Sequence, residues 1–241
     1  LFFFPVDGTL DFYGGGNPLP NRSKEDIMPL HDLTHLLTPN MPVYPGTEPP
    51  ELSVATTVER EGFQETLLRF FSHTGTHMDA PGHMISGAPT LDRLEVNTFA
   101  GSAVRVDLSS MPPGSTIPRS VLVDALASGP VPDFVLLSTG WDRYWGTDAY
   151  FSPFPTLSAD AATYLASLAL KGVGVDVISV DPLDTVDFPI HKTLLAQGFV
   201  IVENLRHLQQ LPSRGFTFFA LPLRYIGADG APVRAVALLE A

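Results

Sequence analysis

Residues 72–83 read Ser-His-Thr-Gly-Thr-His-Met-Asp-Ala-Pro-Gly-His, which places His73, His77, Asp79 and His83 within eleven residues. Imidazole nitrogens and a carboxylate suit borderline-hard divalent ions such as Zn²⁺ or Mn²⁺. Imidazoles this close also repel one another near and below neutral pH unless a metal keeps them neutral. The plain alternative is a polar surface loop, which a single histidine would usually mean; the density of the cluster argues for metal binding instead. His73 and His77 have the i, i+4 spacing that puts two zinc-binding histidines on one helical face in peptidases. Here Thr74 stands where the catalytic glutamate would be, and Gly75, Thr76 and Pro81 make a poor helix. The segment therefore reads as a loop, or a strand end that folds back, with Gly75 permitting the turn.

A second group lies further along. His191 follows Asp187-Phe-Pro-Ile and opens a short helical pattern, and Glu203 interrupts the apolar run Phe199-Val-Ile-Val-Glu-Asn-Leu. A carboxylate at the end of a buried strand is costly unless a cation compensates it. Glu203 just past the strand end, in solvent, is the competing reading, as is an ordinary helix N-terminal role for His191. Neither residue carries a metal assignment alone.

These residues need a scaffold. The chain has 241 residues, 44% hydrophobic and 17% charged, enough for one large domain or two small ones with a substantial core. Lys plus Arg number 14 and Asp plus Glu 26, giving −12, which disfavours nucleic acid and anionic membrane surfaces as partners. There is no Cys, so thiolate nucleophiles, disulfides and Cys-based metal sites are excluded, and any metal must be held by His and carboxylates. No apolar stretch approaches the roughly 20 residues of a membrane-spanning helix. Residues 1–30 read as an N-terminal arm rich in Gly and Pro, beginning at Leu rather than Met, without a convincing signal peptide; a cytoplasmic location is the expectation.

From residue 31 onward, strand-like and helix-like segments alternate. Strands are expected at 66–71, 103–108, 134–138, 174–180, 198–202, 216–223 and 233–239, from their β-branched and aromatic content between Gly, Pro and Asp. Helices are expected over 119–127, from the N-cap Ser158 to Gly172, and over 191–197. Several strands are apolar throughout, as when both faces are covered. The fold class is α/β: a single domain, 31–241, with a central mixed β-sheet flanked by helices. No G-x-S-x-G elbow, P-loop or G-x-G-x-x-G competes with the histidine cluster.

His73-Thr-Gly-Thr-His77-Met-Asp79-Ala-Pro-Gly-His83 resembles the H-x-G-T-H-x-D-x-P-x-H signature of the cyclase family, which includes bacterial arylformamidases (kynurenine formamidases) and isatin hydrolases. Met41-Pro-Val-Tyr44-Pro-Gly, Leu137-Ser-Thr-Gly-Trp141, the stretch from His191 through Glu203-Asn-Leu, Leu221-Pro-Leu-Arg224 with Gly227, and Pro232-Val-Arg234-Ala extend the resemblance over about residues 30–240. It implies a swivelling β/α fold and a hydrolase with two divalent ions, zinc ahead of manganese. His73, His77 and Asp79 would hold the first ion, Asp79 and Glu203 would bridge to the second, and His191 would also bind the second. His83 would be the general acid/base rather than a ligand.

The implied reaction is hydrolysis of an aryl formamide such as N-formylkynurenine by metal-activated hydroxide, in a homodimer with pockets near the subunit interface. Tyr44 stands where arylformamidases usually carry Trp, and Thr47 where an acidic residue is common. The substrate end is therefore open to a second reading, ring-opening of an isatin-like cyclic amide or a lactone. A third is a non-catalytic metal-binding protein, against which the retained His83 argues. Tyr44, Trp141, Tyr144 and Trp145 are candidates to wall an aromatic substrate, with ordinary packing the alternative for all but Tyr44. His31 and His35 read as structural or pocket-edge residues, and His207 as surface.

Overall fold

Successive residues of a strand face opposite ways, so the all-apolar segment Phe134–Ser138 needs an apolar layer on each side. Both layers are present in the computed structural model, which describes residues 30–240. Apart from Leu30, the expected N-terminal arm lies outside the described residues.

The first half of the chain forms β1 (Leu30–Asp32), β2 (Glu51–Thr56), α1 (Val58–Glu61), β3 (Glu65–Arg69), β4 (His77–Asp79), β5 (Ala100–Asp107), β6 (Thr116–Ile117) and α2 (Arg119–Leu126). The second half forms β7 (Phe134–Ser138), β8 (Thr156–Leu157), α3 (Ala159–Ala166), β9 (Gly172–Val175), α4 (Pro189–Leu195), β10 (Val200–Glu203), β11 (Phe216–Pro222) and β12 (Gly230–Leu239). Strands β5, β7, β9 and β10 are parallel neighbours, joined in turn through α2, α3 and α4. Parallel neighbours need such crossovers, and helices crossing on one side supply the outer layer. The remaining ladders of this sheet are antiparallel: β11 with β5 and β12, β4 with β10 and β12, and β1 with β12; β2–β3 and the parallel β6–β8 form separate two-stranded sheets.

The mixed sheet is as expected, but it is not an open layer flanked by helices. Because β4 pairs with both β10 and β12, the strands from β12 through β11, β5, β7, β9 and β10 to β4 close into a barrel, with β1 added outside. Closure gives every strand of the ring two neighbours and leaves no unpaired edge. No sequence pattern announced it, because β4 is three residues of the histidine motif.

The two-residue period sorts the core. Val135, Leu137, Val173, Val175 and Ile201 face the helices and meet Leu122, Leu165 and Leu194. Phe134, Leu136, Val200, Val202 and Met78 fill the barrel interior with Phe216, Phe218 and Ala235. Opposite the large Phe134 and Leu136 the interior positions of β9 are Gly172 and Gly174, which leave room for them. The α3 N-cap is Ser158, whose Oγ accepts from Ala161 N–H at 3.0 Å. That helix stops earlier than expected, where Ser167 Oγ bonds back to the Tyr164 carbonyl at 2.7 Å. Among the described residues no helix is long and apolar enough to cross a membrane.

A Cβ at position 174 would lie 2.6 Å from Leu136 Cδ2 and 2.7 Å from Leu205 Cδ1. Gly174→Ala is therefore expected to overpack the barrel and lower the unfolding free energy by about 1–3 kcal/mol in urea denaturation. An unchanged midpoint would show a looser interior than described.

Candidate metal centre

The histidine motif leaves helical geometry altogether. Gly75 adopts φ +67°, turning the chain into β4, where His77 and Asp79 share one face and Met78 points into the barrel. In the ladder with β10, Glu203 lies opposite His77 and Ile201 opposite Asp79. Ile201 belongs to the helix-facing core, so His77, Asp79 and Glu203 share that outer face, toward α4, which presents His191. Glu203 is thus a buried strand residue, not one lying past the strand end in solvent.

All the ligand candidates converge. Asp79 Oδ1 is 2.7 Å from His73 Nδ1 and 3.3 Å from His77 Nε2, while its Oδ2 is 3.7 Å from His191 Nε2. Glu203 divides likewise, with Oε2 3.5 Å from His77 Nε2 and Oε1 3.2 Å from His191 Nε2. His73, His77 and Asp79 offer ligand atoms within 4.8 Å of one another, and so do Asp79, His191 and Glu203. His83 sits beside them on the turn 81–83, its ring centroid 4.0 Å from that of His73.

The ring tautomers are set by the surrounding groups. His77 Nδ1–H donates to the Gly75 carbonyl at 2.8 Å, and His191 Nδ1–H to Asp181 Oδ2 at 2.7 Å. Each Nε2 is left to face Asp79 and Glu203, the orientation that outer partners impose on metal-binding histidines. Asp181 also accepts from the backbone N–H groups of Ile190 and His191, both at 2.9 Å, and so fixes the start of α4. Asn204 anchors the other side: its Nδ2 donates to the Gly75 carbonyl at 2.8 Å, and its carbonyl accepts from Thr76 Oγ1 at 2.7 Å. A Cβ at Gly230 would meet the His73 ring, 2.7 Å from Nε2, so only glycine lets β12 pass behind it.

The electrostatics show what is missing. Asp79 is 1% exposed and Glu203 4%, and among the described residues no Lys or Arg lines the cavity above them. Burial opposes charge on His73, but Asp79 and Asp229 overcome it and push its pKa up to about 9. For His191 burial is likewise outweighed, by Asp181, Glu203 and Asp79, and the pKa rises to about 10. Asp79 is held well below the ordinary carboxylate range by His73 and His77 despite its burial. Burial lowers the pKa of His83, and the charges of His73 and His191 lower it further, although Asp79 opposes them. Without an ion, protons on the histidines compensate the buried carboxylates; a divalent cation would do so through the same nitrogens and oxygens. The donor set fits a metal.

The site floors a cavity of about 520 Å³ walled by Tyr44, Phe71, Met84, Ile178 and Phe188. Of the four aromatic candidates only Tyr44 reaches it. Trp141 is buried with Nε1 donating to the Tyr150 carbonyl, Tyr144 packs edge-on against it, and Trp145 stacks on buried His35 at 3.9 Å. His31 lies on β1, and His207 is half-buried beside Arg206. Sequence reasoning missed Asp181, Asn204 and Asp229. Asp181 follows Val177-Ile-Ser-Val180, a largely apolar stretch and a weaker form of the signal that singled out Glu203; Asp229, between Ala and Gly, reads as an ordinary turn residue.

Comparison with known proteins follows the same lines. Residues 31–182 match the Cyclase family. The chain is 33% identical over 213 residues to a kynurenine formamidase of Salinibacter ruber, covering 87% of this chain and 97% of that one. Isatin hydrolase A from Ralstonia solanacearum superposes with a TM-score of 0.81 at 26% identity, over 88% of this chain and 92% of its own. A protein of Bacillus stearothermophilus described as a predicted metal-dependent hydrolase superposes with a TM-score of 0.71 at 31% identity, over 88% and 98%.

The raised histidines make the metal-stripped protein pH-sensitive. A folded-state pKa above the unfolded value contributes stability that is complete below the unfolded pKa, about 6.5. That contribution is lost as pH rises through the folded values, about 9 for His73 and about 10 for His191. The Tm of chelator-treated protein is expected to fall between pH 6.5 and 10, and that of metal-loaded protein to fall much less. Parallel profiles would refute this account.

Proposed function

The chain belongs to the Cyclase family, and from that premise we propose that it is a metal-dependent amidohydrolase cleaving an aryl formamide of the N-formylkynurenine class. The observation that carries the reading is the convergence of His73, His77, Asp79, His191 and Glu203, with His83 beside them, on the floor of an aromatic-walled cavity. Two divalent ions are proposed, zinc ahead of manganese. His73, His77 and Asp79 would hold one, His191 and Glu203 the other, with Asp79 shared. Support for the sharing comes from the way the two oxygens of Asp79 divide between the His73–His77 pair and His191. When bound, such ions polarise the acyl carbonyl and make water a nucleophile at neutral pH.

The remaining work falls to the protein. His83 is half-buried at the cavity wall, its proposed role that of general acid/base. It takes a proton from the attacking water as the water oxygen bonds to the acyl carbon. The C–N bond then breaks, the electron pair staying with nitrogen, which takes the proton from His83. A pKa lowered by burial keeps this imidazole neutral and ready to accept. Tyr44, Phe71 and Phe188 would hold the aryl ring, and exclusion of water by these walls strengthens every polar interaction below.

Ring-opening of an isatin-like cyclic amide or a lactone is the second reading. It is favoured by the cavity lining, which among the described residues offers no Lys or Arg to pair with a substrate carboxylate. A homodimer is proposed as well: the β2–β3 hairpin exposes Val54, Leu67 and Leu68, with Phe71 beside it, and no layer among the described residues covers them. An isolated two-stranded hairpin is marginal in water, so a second copy is the natural cover.

A panel of N-formylkynurenine, isatin and simple lactones, run on protein loaded with Zn²⁺ or Mn²⁺, tests the reading. Turnover of the formamide is expected, and turnover of none of them would overturn it. His83→Ala is expected to lower kcat by about 10²–10⁴-fold while metal content stays intact. Loss of metal in that variant would make His83 a ligand.

A further inference from the structure

Among the described residues, Asp229 is the one carboxylate lining the cavity that neither the proposed ligand set nor the acid/base role has used. It occupies the last position before β12, where Gly230 lies opposite Asp79 and Ala80 N–H donates to the Asp229 carbonyl at 2.9 Å. Its backbone is therefore tied to the strand that carries the ligands. The side chain is gripped as well. Ser72 Oγ donates to Oδ2 at 3.3 Å, and the Tyr225 hydroxyl lies 3.3 Å from Oδ1 while bonding the Gly230 carbonyl at 2.6 Å. The same Oδ2 is 3.0 Å from His73 Nε2 and 3.7 Å from His83 Nδ1. Because His73 turns Nδ1 toward Asp79, Asp229 holds that ring from its far nitrogen, as Asp181 holds His191.

We propose that Asp229 is a positioning residue: it holds His83 with Nδ1 protonated, so that Nε2 serves as the base in the cavity, and it retains the resulting imidazolium until the departing nitrogen takes the proton. This rests on the amidohydrolase reading above. The arrangement follows the logic of a carboxylate behind a catalytic histidine, which fixes the tautomer and stabilises the charged ring without itself moving a proton. The present 3.7 Å separation is of the kind that closes to a hydrogen bond when substrate binds. An amine needs the proton from His83 in order to leave, whereas a nitrophenolate does not. Asp229 should therefore matter more for amides, which use His83 as base and then as acid, than for activated esters, which use it only as base.

The test uses the zinc-loaded full chain, with Asp229→Asn and Asp229→Glu beside the wild type, on an aryl formamide and on 4-nitrophenyl formate. Asp229→Asn is expected to lower kcat on the formamide on the order of 10–100-fold with little change in KM. Ester hydrolysis should fall as well, but by less than formamide hydrolysis, because the ester loses only the base step, with zinc retained and the fold-loss being read as lost transition-state stabilisation. Asp229→Glu should recover part of the formamide rate. ¹⁵N NMR of the His83 ring should show protonated Nδ1 in the wild type and mixed tautomers in Asp229→Asn. An equal fall on both substrates, loss of metal, or an unaltered tautomer would overturn the proposal. If the wild type hydrolyses neither substrate, the amidohydrolase reading falls, and the tautomer measurement alone decides the positioning of His83.

Discussion

Two carboxylates buried side by side without a lysine or arginine are the constraint around which this protein is arranged. Asp79 and Glu203 are nearly inaccessible, and among the described residues every ion pair they make is with a histidine. Burying such charges uncompensated would cost several kcal/mol each. The fold meets that cost with imidazoles whose orientations are fixed from behind by Gly75, Asp181 and Asp229. A divalent ion satisfies the same geometry with greater charge, which is why the arrangement reads as a metal centre rather than a structural ion-pair network.

The rest of the architecture serves that convergence. Three crossovers through α2, α3 and α4 build the parallel block, and the last of them brings His191 over the outer face of β10. The antiparallel strand β4, only three residues long, closes the barrel and carries His77 and Asp79 on the same face as Glu203. Closure and chemistry are thus coupled. The backbone ladder that removes the sheet's open edge also fixes the register of the candidate ligands, and Gly230 lets β12 approach the back of His73.

Much of this could be read from the chain itself, and the omissions have physical reasons. β7 and β10 showed themselves because both faces are apolar, whereas β9, Gly172–Val175, meets the expected 174–180 at only two residues because its glycines carry no strand signal; Ser158 marked the start of α3 because its side chain caps it. The residues that converge could be picked out because His and Asp at such density have few other uses, and Glu203 because it breaks an apolar run. β4 was hidden because its sequence is polar and its partners lie over a hundred residues away. Asp229 was hidden because its neighbours give it the signature of a turn, and only the β4–β12 pairing shows that this turn faces two histidines. For Trp141, Tyr144 and Trp145 two readings stood open, substrate wall or ordinary packing, and the space behind the centre takes them into packing.

The central claim is that the buried carboxylates and histidines form one centre shared by two ions, with His83 outside the coordination. It is tested most directly by anomalous difference density at the zinc edge from crystals of zinc-loaded protein. Two peaks are predicted, roughly 3.5–4 Å apart, one among His73, His77 and Asp79 and the other among Asp79, His191 and Glu203, with neither within bonding distance of His83. A single peak, or a peak bonded to His83, would contradict the account.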